Sequence, residues 1–217
     1  METNVKVLLC GATGLVGSEC LRMLLHDPFI AQVNAMVRNP LEVNNPKLKE
    51  FLVNFDEMEN YPEIFKVRAI ICAIGTTIKK AGSKESFRKV DYHYPLRIAR
   101  MGLQQGASHY VLVSSLGADA RSHTFYARTK GELEDALKDL GYKQLTILRP
   151  SLLLGKRKEF RLGEEIAKSF AFILPGKYRA NPAEKVASAI VNAVKYPPPK
   201  IRYISSSEIN EETPEHL

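Results

Sequence analysis

A doubly wound α/β sheet, mainly parallel and flanked by helices, is predicted by three observations on these 217 residues. Short apolar runs rich in β-branched residues recur along the chain. Several are separated by stretches with helical spacing. The first run opens onto Gly11, Gly14 and Gly17 and then onto a helical pattern. Strands that alternate with helices make βαβ units, which assemble into a parallel sheet covered on both faces. The length suits one α/β domain over 1–217, with a small C-terminal appendage.

The apolar runs predict strands at residues 5–9, 33–37, 51–55, 69–74, 110–113, 145–148 and 201–204. Helices are predicted over 15–26, 84–105, 126–140, 159–172 and 182–195. The last of these has clear boundary signals. Asn181 is placed to cap it, Pro182 suits its first turn, and the prolines at 197–199 cannot continue it. Between 151 and 181 the pattern turns irregular, with basic residues, Gly163, Pro175 and Gly176, and this stretch is assigned to the substrate side. The polar tail from Ser205 onward is expected to fray.

Composition narrows the class. Hydrophobic residues at 45% and charged residues at 25% fit a soluble globular protein, and no apolar run approaches the roughly 20 residues that span a bilayer. Met1 to Asn4 lack the flank and apolar core of a signal peptide, so the expected compartment is the cytoplasm, with no membrane association. Cys10, Cys20 and Cys72 sit inside apolar segments without metal-ligand spacing and are expected to be buried reduced thiols, with no metal site. The net charge of +7 is dispersed. Only Lys79-Lys80 and Lys156-Arg157-Lys158 are tight clusters, without the aromatic interleaving of a single-strand nucleic-acid binder, so no nucleic-acid partner is expected.

The glycine triplet reads as a dinucleotide cradle. Gly11 suits a tight turn, Gly14 admits a pyrophosphate close to the backbone, and Gly17 lets the helix pack on the strand. At the end of the second strand, where an acidic residue would bind the ribose hydroxyls of NAD, stands Arg38. A guanidinium there forms paired hydrogen bonds to a 2′-phosphate, so NADP(H) is expected over NAD(H), the alternative being an exposed strand-end arginine. Gly75, after the fourth strand, either admits the middle of the cofactor or merely ends a strand. Asp56 accepts from the adenine amine or caps a helix.

The fifth strand runs into Ser114 and Ser115, and eleven residues later come Tyr126 and Lys130. Four apart on a helix, they share a face, so the ammonium approaches the phenol and favours its ionised form. Such a tyrosine exchanges a proton with a carbonyl or alcohol oxygen that a serine hydroxyl orients. Ser115 is the first choice for that hydroxyl, with Ser114 close behind. An isolated Tyr-x-x-x-Lys is more often a half-buried tyrosine with a snorkelling lysine. Here the order of cradle, double serine and pair carries the reading.

In these features the chain resembles the short-chain dehydrogenase/reductase superfamily of NAD(P)-binding Rossmann proteins, in its extended or atypical branch, and within it the Tat-interacting-protein-like oxidoreductases. The shared motifs are Gly11-Ala-Thr-Gly, Gly75-Thr-Thr, Phe87-Arg-Lys-Val-Asp91, Val113-Ser-Ser-Leu-Gly-Ala-Asp119, Tyr126 to Glu132 and Leu148-Arg-Pro150. The resemblance implies that Tyr126 is the proton donor or acceptor, and that Lys130 is its partner and bonds the nicotinamide ribose. It implies that Thr13, Gly14, Leu15 and Val16 line the pyrophosphate, Arg38 and Asn39 the 2′-phosphate, and Ile74 and Gly75 the ribose. Leu153 would close over the nicotinamide, with Arg161 in the following segment. Two departures stand out: Cys10 replaces the usual threonine, and Asp91 lies where an asparagine commonly supports a proton relay. The expected activity is NADPH-dependent reduction of a small carbonyl compound by a monomer or homodimer. The alternative is an NADPH-binding redox-sensing regulatory protein with little turnover.

Overall fold

The computed structural model describes residues 4–155 and 179–211. Its strands are β1 (Val5–Cys10), β2 (Ile30–Val37), β3 (Leu48–Leu52), β4 (Ala69–Cys72), β5 (His109–Val113), β6 (Gln144–Arg149), the two-residue β7 (Leu153–Leu154) and β8 (Asn181–Pro182), and β9 (Ile201–Ser205). The α-helices are α1 (Leu15–His26), α2 (Ile78–Ala81), α3 (Lys84–Arg88), α4 (Tyr94–Gln104), α5 (Phe125–Asp139), α6 (Ala183–Lys195) and α7 (Ser206–Glu211). Two 3-10 turns at Phe55–Asn60 and Pro62–Phe65 follow β3, and a π-turn at Lys89–His93 joins α3 to α4.

The main sheet runs β3-β2-β1-β4-β5-β6-β9, with every neighbouring pair parallel. Strand order reverses between β1 and β4, so their carboxyl ends flank the crevice where a doubly wound sheet takes its ligand. Alternation along the central strands divides the core between the two faces. Val7, Leu9, Ile71 and Val111 join α1 and α6 on one side. Leu8, Cys10, Ile70, Cys72, Tyr110 and Leu112 join α4, α5 and the 3-10 turns on the other. The predicted fold class is therefore the observed one, and all three cysteines are buried free thiols.

Several boundaries differ from the sequence reading. The third strand lies at Leu48–Leu52 rather than 51–55, because pairing with β2 sets its register and Asn54 then accepts from the Asp56 N–H to start a 3-10 turn. The helix predicted over 84–105 is interrupted by the π-turn. There the Tyr94 N–H bonds back five residues to Lys89, just before Pro95, whose ring would crowd the carbonyl four residues earlier in an unbroken α-helix. Asn181 does not cap α6. It is wholly buried, and its amide oxygen accepts from the Ser151 N–H (2.7 Å) and the Ser206 hydroxyl (2.8 Å), while its Nδ2 donates to the Ser206 carbonyl. The chain beyond Ser205 is not frayed throughout: α7 forms there, with Ser206 and Ile209 buried. The predicted helix at 159–172, most of the substrate-side stretch and the basic cluster at 156–158 lie outside the described residues.

His109 is 1% exposed, with Nε2 against the Thr146 hydroxyl at 2.9 Å. Burial, reinforced by Arg68, pushes its pKa from 6.5 down to about 4. The unfolded chain thus takes up a proton that the folded one refuses. The associated stability is present above about pH 6.5 and is lost as pH falls toward 4, amounting to about 3 kcal/mol. Thermal melts of wild type and His109→Gln between pH 7.5 and 4.5 are expected to converge as pH falls. Parallel curves would exclude this histidine as the source.

Candidate dinucleotide and proton-transfer site

The cradle is built by backbone contact. Gly11 has φ +96°, in the left-handed region, and a Cβ on it would lie 2.6 Å from the Ala73 carbonyl oxygen at the end of β4. A Cβ on Gly17 would meet the Gly11 carbonyl oxygen at 2.0 Å, so any side chain there would force α1 away from the turn. The α1 N-terminus is capped by Gly14 without a side-chain hydrogen bond, and no acidic residue stands in its first turn. Its leading N–H groups therefore suit an anionic ligand. Thr13 is exposed and Leu15 half-buried, whereas the Val16 side chain belongs to the core, leaving only its backbone to face a ligand.

Two sequence-predicted residues, Leu15 and Leu153, pack with Ala73 against the same core cluster. A Cβ on Gly155 would strike Leu15 Cδ1 at 2.2 Å, so the chain after β6 returns directly over the start of α1. Ile74 is half-buried and Gly75 exposed at the end of β4. Arg38 and Asn39 are exposed beyond β2, and Arg38 has no hydrogen-bond or ion-pair partner among the described residues. Arg161 lies outside them. Asp56 is engaged elsewhere, with Lys89 at 2.8 Å and the Tyr94 hydroxyl at 3.0 Å.

The candidate proton-transfer pair stands on α5. Tyr126, on the first turn, is 38% exposed and packs its ring on the buried Phe87 at 5.6 Å between centroids. Lys130, one turn later, is 4% exposed, with its ammonium 2.7 Å from Asp91 Oδ1. The other Asp91 oxygen accepts from the Thr76 N–H at 2.9 Å. Beyond Lys130 on the same helix, Glu132 pairs with Arg88 at 2.5 Å. The segment from Phe87 to Asp91 thus meets α5 at three points. Burial would pull the Lys130 ammonium down, but the charge of Asp91, with Tyr126 and the hydrogen bond the ammonium donates to Asp91, outweighs it and pushes the pKa to about 12.

The two serines part company. Ser114 is buried and donates to Glu134 Oε1 at 2.5 Å, and Glu134 also forms an ion pair with Arg149, whose guanidinium lies 4.6 Å from the Tyr203 ring centroid. Ser115 is half-buried with its hydroxyl on the Leu116 carbonyl at 3.2 Å. Sequence reasoning missed Glu134. It is 1% exposed and ties α5 to the ends of β5 and β6. The available signal was its spacing, since Glu134 repeats the four-residue step from Tyr126 to Lys130 once more on the same helix face.

Comparison with known proteins bears on this arrangement. The HIM1 family pattern matches residues 39–175. The chain belongs to the HIM1 family. This HIM1-family chain is 38% identical over 171 residues to Protein FMP52, mitochondrial, of Candida albicans, covering 76% of this chain and 75% of that protein. It is 31% identical over 191 residues to Protein HTATIP2 of Rattus norvegicus, covering 86% and 78%. Its fold is similar to that of MoeE5 in complex with UDP-glucose and NAD (TM-score 0.72, 15% identity, covering 92% of this chain and 76% of that one). It is likewise similar to the Bordetella bronchiseptica enzyme WbmH in complex with NAD+ (TM-score 0.70, 13% identity, covering 97% and 83%). The likeness to these solved structures shows that the HIM1-family chain has the Rossmann-type fold its motifs suggested. One expectation is corrected. The cytoplasmic location does not stand, because FMP52 relatives from Candida albicans, Emericella nidulans and Debaryomyces hansenii are mitochondrial proteins by name. Signal-peptide criteria bear only on the secretory route.

Proposed function

We propose that the protein is an NADPH-dependent oxidoreductase that reduces a small carbonyl compound, with Tyr126 as proton donor. The observation that carries this reading is the convergence, at the carboxyl ends of β1, β4 and β5, of a cradle that a single Cβ would fill with a Tyr126–Lys130 pair held from behind by Asp91. The cradle fits a dinucleotide. Leu15, Gly14 and Thr13 would hold its pyrophosphate, Arg38 and Asn39 its 2′-phosphate, and Ile74, Gly75 and Lys130 the nicotinamide ribose, with Leu153 above. The bound dinucleotide supplies the hydride. The chain's own residues manage the proton. Ser115 orients the carbonyl oxygen, the Tyr126 hydroxyl gives it a proton, and the Lys130 charge stabilises the phenolate left behind. Ser114 is occupied by Glu134, which favours Ser115 as the orienting hydroxyl. The mitochondrial relatives support placing this chain in that compartment as well.

Calorimetric titration with NADPH and then NADH is the direct test. Micromolar NADPH affinity with much weaker NADH binding is the expected result. Binding of neither would remove the reading and redirect attention to partners. Arg38→Asp is expected to weaken NADPH binding roughly 10- to 100-fold, as for loss of a hydrogen-bonded charge pair, and to narrow or reverse the preference. Unchanged NADPH affinity would take Arg38 out of the 2′-phosphate site.

A further inference from the structure

We propose that Asp91 is a positioning residue that clamps the Lys130 ammonium to the end of β4, making Lys130 a fixed cation beside Tyr126 rather than a carrier of protons. This rests on the reading of Tyr126 as the proton donor. The carboxylate is wholly buried, with one oxygen in an ion pair and the other in a hydrogen bond. One faces the ammonium at 2.7 Å and the other accepts from the Thr76 N–H at 2.9 Å. A Cβ on Gly75 would lie 3.4 Å from Asp91 Oδ1 and 3.8 Å from Lys130 Nζ, so the ion pair sits directly under the loop that leaves β4. The π-turn is the backbone device that aims Asp91 inward: it falls at Lys89–His93, between the rung at Phe87 and the helix that continues from Tyr94.

The chemistry follows from the donors and acceptors available. An ionised carboxylate accepts and cannot donate, so a proton does not pass outward through Asp91. The other titratable groups acting on Lys130 are Tyr126 on its own helix and Cys72 on β4. Burial raises the Cys72 thiol, which therefore stays protonated at neutral pH and adds no charge. Lys130 is thus a permanent cation facing one anion behind and one phenol in front. In the proposed reduction the carbonyl carbon gains a hydride and its oxygen gains the Tyr126 proton. The phenolate then recovers a proton from water, to which Tyr126 is 38% exposed.

The test is a pH titration of the Lys130 side chain by nitrogen-15 NMR in the ligand-free protein, assigned with Lys130→Arg and repeated in Asp91→Asn. The expected result is that wild-type Lys130 stays charged to about pH 12. In Asp91→Asn, where burial persists without the countercharge, it is expected to lose its proton at least about two pH units lower. The alkaline limb of the kcat profile is expected to move with it, a change that a merely structural residue would not produce. Unchanged titration in Asp91→Asn, or a wild-type Lys130 that titrates below the ordinary lysine range, would overturn the clamp. Should Asp91→Asn not fold, the wild-type titration still decides. Because the NMR signal needs no turnover, a shifted Lys130 in a protein that reduces no carbonyl compound would support the clamp while removing the reductase reading.

Discussion

Replacing Tyr126 with phenylalanine is expected to lower NADPH-dependent carbonyl reduction by roughly 100- to 10,000-fold, the range for loss of a positioned general acid, while leaving dinucleotide affinity within about threefold. The separation follows from the geometry. The Tyr126 ring packs against Phe87 in a tilted arrangement, and phenylalanine keeps that contact. The cradle around Gly11, Gly14 and Gly17 lies where β1 runs into α1, against the end of β4, and is built from backbone rather than from the phenol. Single-turnover kinetics at saturating NADPH, with calorimetry on the same preparation, would measure both quantities. Activity that survives the substitution would sink the proposed mechanism. Intact NADPH binding in a wild-type protein without detectable turnover would instead favour the redox-sensing reading.

Lys130→Met is expected to destabilise the protein by about 3–5 kcal/mol, because it leaves the buried Asp91 carboxylate without its countercharge. Adding Asp91→Asn should recover a large part of that loss, since the remaining amide still accepts from the Thr76 N–H and no charge stays buried. Denaturant unfolding of the two single variants and the double variant completes the cycle. Strict additivity would mean that the two groups are energetically independent despite their 2.7 Å separation. In the wild type the sign of the pH effect is fixed by the direction of the shift. Lys130 is raised from its ordinary 10.5 to about 12, so its contribution is fully present below about pH 10.5 and is lost as pH rises toward 12.

Much of the architecture was legible in the sequence because it rests on local periodicity. The runs at Val5, Val33, Ala69, Tyr110 and Leu145 alternate with helical stretches, and strands buried on both faces must be apolar on both faces. The cradle was legible for a related reason. Gly11 and Gly17 are required by backbone contacts that no other residue accommodates, so the glycine spacing carries the geometry directly. Tyr126 and Lys130 were legible because the helix repeat alone places them on one face.

What the sequence by itself determined about this protein is thus its strand and helix alternation, its glycine turn and the pairs spaced within one helix. Only the tertiary structure decided the partners that come from distant segments. Asp91 lies in the π-turn between α3 and α4, yet meets Lys130 on α5. Glu134 draws Ser114 away from the candidate substrate position, and Asn181 serves as a buried latch between Ser151 and Ser206 rather than as a helix cap. The physical reason is common to all three. A buried polar side chain must find its hydrogen-bond or charge partner wherever packing brings one within about 3 Å, and that partner's position is a property of the assembled core rather than of local spacing.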